Sequence, residues 1–347
     1  MNPAPDLAKP AAAARSRLSA RQWRRVARIT IIAVALYIGL RVLPTGTNLN
    51  HVDFATGANP GSLELCDPSN PQFIPVVAVR SPVSMMIAES TPDVRVGREV
   101  TCVVRLLTAS KKPIGPVDLL ISHTRKLHLL VIDPSLEDYQ HIHPEPGEKA
   151  GDWTFHFTPQ RAGVYRIFAD FTPVATGRSL YANTDLEVAP SPQDAAAETI
   201  ENVSASSAAS AAVATVDAKK SDAEPTVNAG EIQVVRGDYV FSLTIAKPPV
   251  RVRQQAELAF AVARADGGPL TLGPVMGAYA HLVAFDELRS GFAHLHPNEI
   301  DLSQKLDARR PRLTFKITIP SPGRYVVWAQ IALEGVETFV PFNVDVQ

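Results

Sequence analysis

Nine histidines occur in the chain, and six of them repeat one pattern. His128, His141, His143 and Pro144 are spaced His-x12-His-x-His-Pro, and a shift of 153 residues lays them without a gap on His281, His294, His296 and Pro297. The same shift sets Asp133 on Asp286 and Tyr139 on Phe292. Imidazole nitrogens are the commonest protein ligands for borderline metal ions, so a histidine set kept twice points first to metal binding. On a β-strand successive side chains alternate between faces, so the two histidines of His-x-His must share one. Whether His128 joins them depends on the register of the hairpin. If Asp133 pairs with Tyr139, His128 falls opposite Pro144 and faces away; a loop one residue shorter or longer, or one containing a bulge, brings it opposite His143 or its neighbour. The sequence leaves both open.

At the same offset His123 lies against Met276, two residue types that both donate to soft or borderline metals. The candidate ligands are therefore His128, His141, His143 and His123 in the first copy, and His281, His294, His296 and Met276 in the second. Copper, which accepts imidazole nitrogen and thioether sulfur together, is the preferred ion, with zinc second. The competing reading is that these histidines bond loop carbonyls and pin the hairpin, with the prolines ending the strand.

Other chemistry is sparse. Cys66 and Cys102 lack a C-x-x-C spacing, which leaves either a disulfide in an oxidising compartment or, for Cys102, an apolar position on a strand. His51 and His156 read as solvated, and Met85 and Met86 as core. Asp133 and Asp286 read as turn caps, and Tyr165 and Tyr325 as sandwich-core or corner tyrosines. No nucleophile elbow, phosphate loop, H-E-x-x-H or dinucleotide fingerprint is present, so no catalytic residue is assigned and a non-enzyme is expected.

The elements that must position these residues are strands. With 29 prolines and 19 glycines between short runs of strand-forming residues, the 347-residue chain reads as all-β. About seven strand-type runs recur in 76–189 and again in 231–347, the signature of an immunoglobulin-like sandwich. After a loop seven residues longer in the second copy the offset becomes 160, which aligns Phe155 with Phe315, Gly163 with Gly323, Tyr165 with Tyr325 and Ala169 with Ala329. Two tandem sandwich domains follow. Between them, 190–230 is an Ala/Ser-rich linker too poor in large apolar groups to form a core. Residues 44–75, rich in Asn, Gly and Pro, read as a stalk.

Ahead of the stalk a basic leader over 1–25 precedes an apolar stretch over 26–43, which reads as a transmembrane signal anchor with a cytoplasmic amino terminus and a periplasmic or extracellular body. The span is short, because only twelve uncharged residues separate Arg28 from Arg41, and a cleaved signal peptide is the alternative. The expected partners are the bilayer, a metal ion and another envelope protein. A net charge of -1 gives no basic field for nucleic acid.

The segments 127–133 (LHLLVID), 141–144 (HIHP) and 161–171 (RAGVYRIFADF) resemble the YtkA-like, immunoglobulin-like group of exported bacterial proteins. The resemblance covers the later two-thirds of each domain and implies heavy-metal or copper binding. The chain departs from a uniform pattern in having Met276 where the first copy has His123, which implies different metal preferences in the two domains. The alternative function is an envelope protein–protein interaction module without metal.

Overall fold

The structure, a computed structural model, describes residues 19–42, 49–54, 71–192, 226–228, 230–303 and 305–347. It divides into an amino-terminal unit, 1–47, and a larger unit, 48–347. The first contains helix α1 (Ala20–Val42). Among the described residues no helix is long and apolar enough to cross a membrane. The arginines at both ends of the apolar stretch are the physical reason: they leave it well short of the about 20 residues a bilayer core needs.

The larger unit is built from strands. The first domain comprises β1 (Val83–Ser90), β2 (Val100–Thr108), β3 (Leu127–Ile132), β4 (Tyr139–Ile142), β5 (Glu145–Pro146), β6 (Asp152–Phe157), β7 (Gly163–Phe171) and β8 (Leu180–Val188). They form two antiparallel sheets, β1-β2-β6-β5 and β4-β3-β7-β8. The second domain comprises β9 (Thr226–Asn228), β10 (Glu231–Arg236), β11 (Tyr239–Ile245), β12 (Gln255–Arg264), β13 (Leu272–Gly273), β14 (Ala280–Asp286), β15 (Phe292–Leu295), β16 (Arg312–Thr318), β17 (Gly323–Leu333) and β18 (Val336–Val346). Its sheets are β16-β12-β11-β10-β9 and β13-β17-β14-β15, with β18 paired to β17. The immunoglobulin-like sandwich expected from the strand spacing is present twice.

Alternation explains most strands. On β2, Val100, Cys102, Val104, Leu106 and Thr108 are buried and the residues between them are not, so one face meets the core and the other meets water. The Cys102 thiol lies in that core, where burial pushes its pKa up to about 12. The other half of the expected pair, Cys66, lies outside the described residues. Tyr325 closes its corner by donating from its hydroxyl to the Ser321 carbonyl at 3.0 Å.

Strand β3 does not alternate, being buried at every position. Leu127, Leu129 and Val131 enter the first domain's core, whereas Leu130 and Ile132 belong to a third apolar layer. That layer lies between the domains. It joins Leu130, Ile132, Tyr139 and Phe168 to Val283, Phe285, Phe292, Val326 and Trp328. The β4-β3-β7-β8 sheet therefore packs its outer face on the corresponding sheet of the second domain. Tyr139 and Phe285 meet with ring centroids 5.3 Å apart, and Phe168 and Phe292 likewise.

Segments before β1 are tied to these bodies. Leu49 and Phe54 are buried against the first core, and Phe73 enters the second. Ile74 exchanges backbone hydrogen bonds of 2.8 and 3.1 Å with Phe292 at the start of β15. Gly291 permits that crossing, because a Cβ there would lie 1.8 Å from the Ile74 carbonyl oxygen.

Candidate metal centre

Register decides where the histidines point. Ile132 pairs with Tyr139 and Leu130 with His141, so the loop is one residue shorter than a pairing of Asp133 with Tyr139 would give. His128 then stands opposite His143, and all three histidines share the outer face of the sheet. The second hairpin repeats this, with Phe285 paired to Phe292 and Val283 to His294. Asp133 holds the short loop by accepting from the backbone N–H groups of Ser135, Glu137 and Asp138, each at 2.8 Å. Asp286 accepts from Ser290 N–H at 2.7 Å.

Because both outer faces turn inward to the interface, the two histidine sets meet. His141 and His294, equivalent residues, have ring centroids 5.1 Å apart. Two groups have donor atoms all within 4.8 Å of one another: His128 with His141 and His143, and His123 with His281 and His296. The second group differs from the ligand set expected by domain. His123 belongs to the first domain, yet its ring lies 3.6 Å from that of His296, the shortest ring separation in the cluster. His294 adjoins the group, 5.5 Å from His281 and 5.1 Å from His296 between centroids. Met276 is half-buried on the second domain's equivalent turn. His51 and His156 are not among these contacts; His156 Nδ1 meets the Thr101 hydroxyl at 2.9 Å on the surface.

The hydrogen bonds fix which ring nitrogens are free. Gln330 donates from Nε2 to Glu337, so its Oε1 accepts from His141 Nδ1 at 2.8 Å. His141 Nε2 therefore presents a lone pair. His128 Nε2 donates to the Ser122 carbonyl at 2.9 Å, which leaves the Nδ1 lone pair facing His141 Nε2 at 3.1 Å. Two lone pairs at that distance repel unless a cation or a proton lies between them. In the second set His294 Nδ1 donates to Asp170 at 3.2 Å. His143 Nε2, His294 Nε2 and both nitrogens of His281 are buried with no hydrogen-bond partner among the described residues. Buried polar atoms left so each cost about 1–3 kcal/mol, and such exceptions call for a ligand or a catalytic role.

Burial favours the neutral form of the His141, His143, His281, His294 and His296 rings. Desolvation, reinforced by neighbouring histidines, drives the pKa values of His141, His281 and His294 well below the ordinary imidazole range. It lowers His143 to about 4 and His296 to about 3, and it raises the Asp170 carboxyl. Neutral imidazoles are the form that ligates metal. Ligands at about 2.0–2.1 Å from one ion place their donor atoms roughly 3–4 Å apart. The His128–His141 pair meets this as it stands, and each triad approaches it. The donor set is all imidazole, and two of its members, His141 and His294, have Nδ1–H held by an amide or carboxylate oxygen, the arrangement in which histidine is oriented for metal. Either triad can hold an ion.

Sequence reasoning singled out the histidines of the cluster but not the residues that orient them. Asp170 and Gln330 occupy equivalent positions at offset 160, and each serves a histidine of the opposite domain. A polar residue on the outer face of a strand carries no mark of this.

A family model described as a domain of unknown function, DUF8832, matches residues 83–189 and again 233–347. The match falls on the two bodies that carry the YtkA-like resemblance, under a description that assigns no metal. No curated protein matches the chain in sequence. Among solved structures, the Escherichia coli adhesin FdeC is 14% identical, covering 76% of this chain and 63% of its own, with a TM-score of 0.20. The ICAM-5 D1–D4 ectodomain fragment is 15% identical, covering 76% and 53%, with a TM-score of 0.21. A putative membrane anchored protein from Corynebacterium diphtheriae is 8% identical, covering 77% and 57%, with a TM-score of 0.20. The chain thus spans less than two thirds of each of these.

Proposed function

We propose that this chain, which belongs to the DUF8832 family and carries two copies of that domain, is an extracytoplasmic metal-binding protein that holds ions in the histidine cluster between its domains. One observation supports this above the rest: the buried imidazoles of His141 and His294, whose Nδ1–H groups are held from the opposite domain by Gln330 and Asp170, direct their Nε2 atoms into the cluster, where that of His141 meets only the His128 lone pair and that of His294 has no hydrogen-bond partner among the described residues. A hairpin-pinning role would instead use those atoms on main-chain carbonyls, as His128 Nε2 does. Copper is the preferred ion and zinc the second, because neutral nitrogen donors suit both. The role is buffering or transfer, without a catalytic step, and α1 is proposed to tether the body to the inner membrane.

The test is titration of the full-length protein, purified in detergent, with copper and with zinc against a competing chromophoric chelator. Two equivalents are expected, with the pair His141→Ala and His143→Ala removing one and the pair His281→Ala and His296→Ala removing the other. Absence of stoichiometric binding, or binding indifferent to these substitutions, would defeat the proposal. Alkaline carbonate should leave the protein in the membrane pellet if α1 anchors it.

A second reading, an envelope protein–protein interaction module, is favoured by Val117, Leu120 and Ile121, exposed apolar residues on the segment leading to His123. Under that reading cross-linking in membranes recovers one dominant partner, and the histidine variants recover it equally.

A further inference from the structure

His123 and Met276 sit on matching turns. Ser122 and Arg125 exchange backbone hydrogen bonds of 2.7 and 3.0 Å around His123 and Thr124, and Val275 and Ala278 do the same, at 2.7 and 3.0 Å, around Met276 and Gly277. All four central residues have positive φ: 47° and 70° in the first turn, 48° and 79° in the second. This is the type I′ geometry that favours Asn-Gly. Histidine, threonine and methionine adopt it at a cost, threonine most of all because it is β-branched. Strain kept in both turns means that each presents its first central side chain in a required direction.

The interface has an approximate two-fold relation that exchanges the domains. It carries the Gln330–His141 contact onto the Asp170–His294 contact, since 141 maps to 294 and 170 to 330. It maps His141 against His294 onto itself. The two turns touch where Thr124 lies near Gly277, a Cβ on which would stand 3.7 Å from Thr124 Cγ2; these residues too are equivalents. The turns therefore meet at the pseudo-axis, flanked by His123 and Met276. Applied to His123, whose ring lies tilted and 3.6 Å from that of His296 while standing 6.2 Å from both His281 and His128, the relation sends Met276 across to His143, beside His128.

Resting on the metal-binding reading above, we infer that Met276 is the fourth donor of the first domain's triad, so that each site is completed from the other domain and the two sites are unlike. One is His128, His141, His143 and the Met276 thioether. The other is His281, His296, His123 and the adjoining His294, all imidazole. A thioether ligand selects Cu(I), whereas imidazole alone also suits Cu(II) and zinc. The first site is thus a Cu(I) site, and the second accepts either copper state or zinc.

The test uses full-length protein in detergent, loaded with Cu(I) under reducing, anaerobic conditions and compared with Met276→Leu, a substitution that keeps apolar volume. In the wild type, X-ray absorption at the copper edge should show a sulfur shell in addition to nitrogen. In Met276→Leu that shell should be lost, and one of two Cu(I) equivalents should weaken by about tenfold or more, as ligand-shell changes do. Zinc stoichiometry should be unaltered, and His123→Ala should weaken the other equivalent. Two tight Cu(I) equivalents in Met276→Leu, or an unchanged sulfur shell, would overturn the assignment of Met276 while leaving metal binding intact. Failure of the wild type to bind either ion would overturn both readings.

Discussion

Replacing Gln330 with leucine should weaken a metal site in the domain to which Gln330 does not belong. Gln330 is fully buried on β17, and its Oε1 is 2.8 Å from His141 Nδ1. Leucine keeps most of the volume and removes the acceptor. His141 then has a buried Nδ1–H without a partner, a penalty of about 1–3 kcal/mol, and its ring is no longer held in the tautomer that directs the Nε2 lone pair to His128. At 1.4 kcal/mol per factor of ten, the loss of affinity should be roughly 10–100-fold, the range seen when a partner of a metal-bound histidine is removed. Glu337, which Gln330 also contacts, is exposed and is solvated after the change. The assay is chelator competition for zinc in a His281→Ala, His296→Ala background, where the first triad alone remains, with urea denaturation alongside. Unchanged affinity with reduced stability would show that Gln330 only packs the interface; unchanged values of both would refute the orienting contact itself.

The mirror-image change, Asp170→Leu, should weaken the second domain's site by a similar factor, while Asp170→Asn, whose side-chain oxygen can still accept from His294 Nδ1, should retain most of it. Stability of the metal-free protein should fall as pH is lowered from about 6.5 toward 4. The sign follows from the depressed native values, about 4 for His143 and about 3 for His296: below the unfolded value of about 6.5 the unfolded chain binds protons that the native one does not, at about 1.4 kcal/mol per pH unit for each such histidine. Urea midpoints that rise or stay level over that interval would contradict it. Gly291→Ala should displace residues 71–79 from β15, because the added Cβ would meet backbone at Ile74. Loss of their paired hydrogen bonds should cost roughly 1–3 kcal/mol, visible as faster proteolysis before β1.

Strand spacing and the offsets of 153 and 160 made the duplicated sandwich readable, because period-2 patterning and turn residues are local properties. Hairpin register was not readable. It turns on whether Asp133 ends the ladder opposite Asp138 or Tyr139, and that is decided by three N–H groups converging on one carboxylate. The third apolar layer left a signal in 127–132, where a strand with no polar alternation except His128 implies burial on both faces. What no local pattern carries is the pairing of one domain's face with the other's. His123 is separated from His296 by more than 170 residues of sequence, and its alignment with Met276 at offset 153 marks it as a donor without saying which domain's histidines it meets.

The apolar layer and the histidines act on one another. Tyr139, Phe168, Phe285 and Trp328 make the interface apolar, and burial there penalises the charged forms of His141 and His294. Docking also brings Gln330 and Asp170 to the histidines that they orient, so a separated domain would lose tautomer control together with desolvation. Each domain alone has the candidate ligands but not the oxygens that orient them, so under the proposed metal-binding function an ion in the cluster would favour the docked state by the free energy with which docking improves its site. In a chain made of two copies, this turns a surface that either sandwich would otherwise expose into a buried face whose histidines are oriented only when the domains are docked.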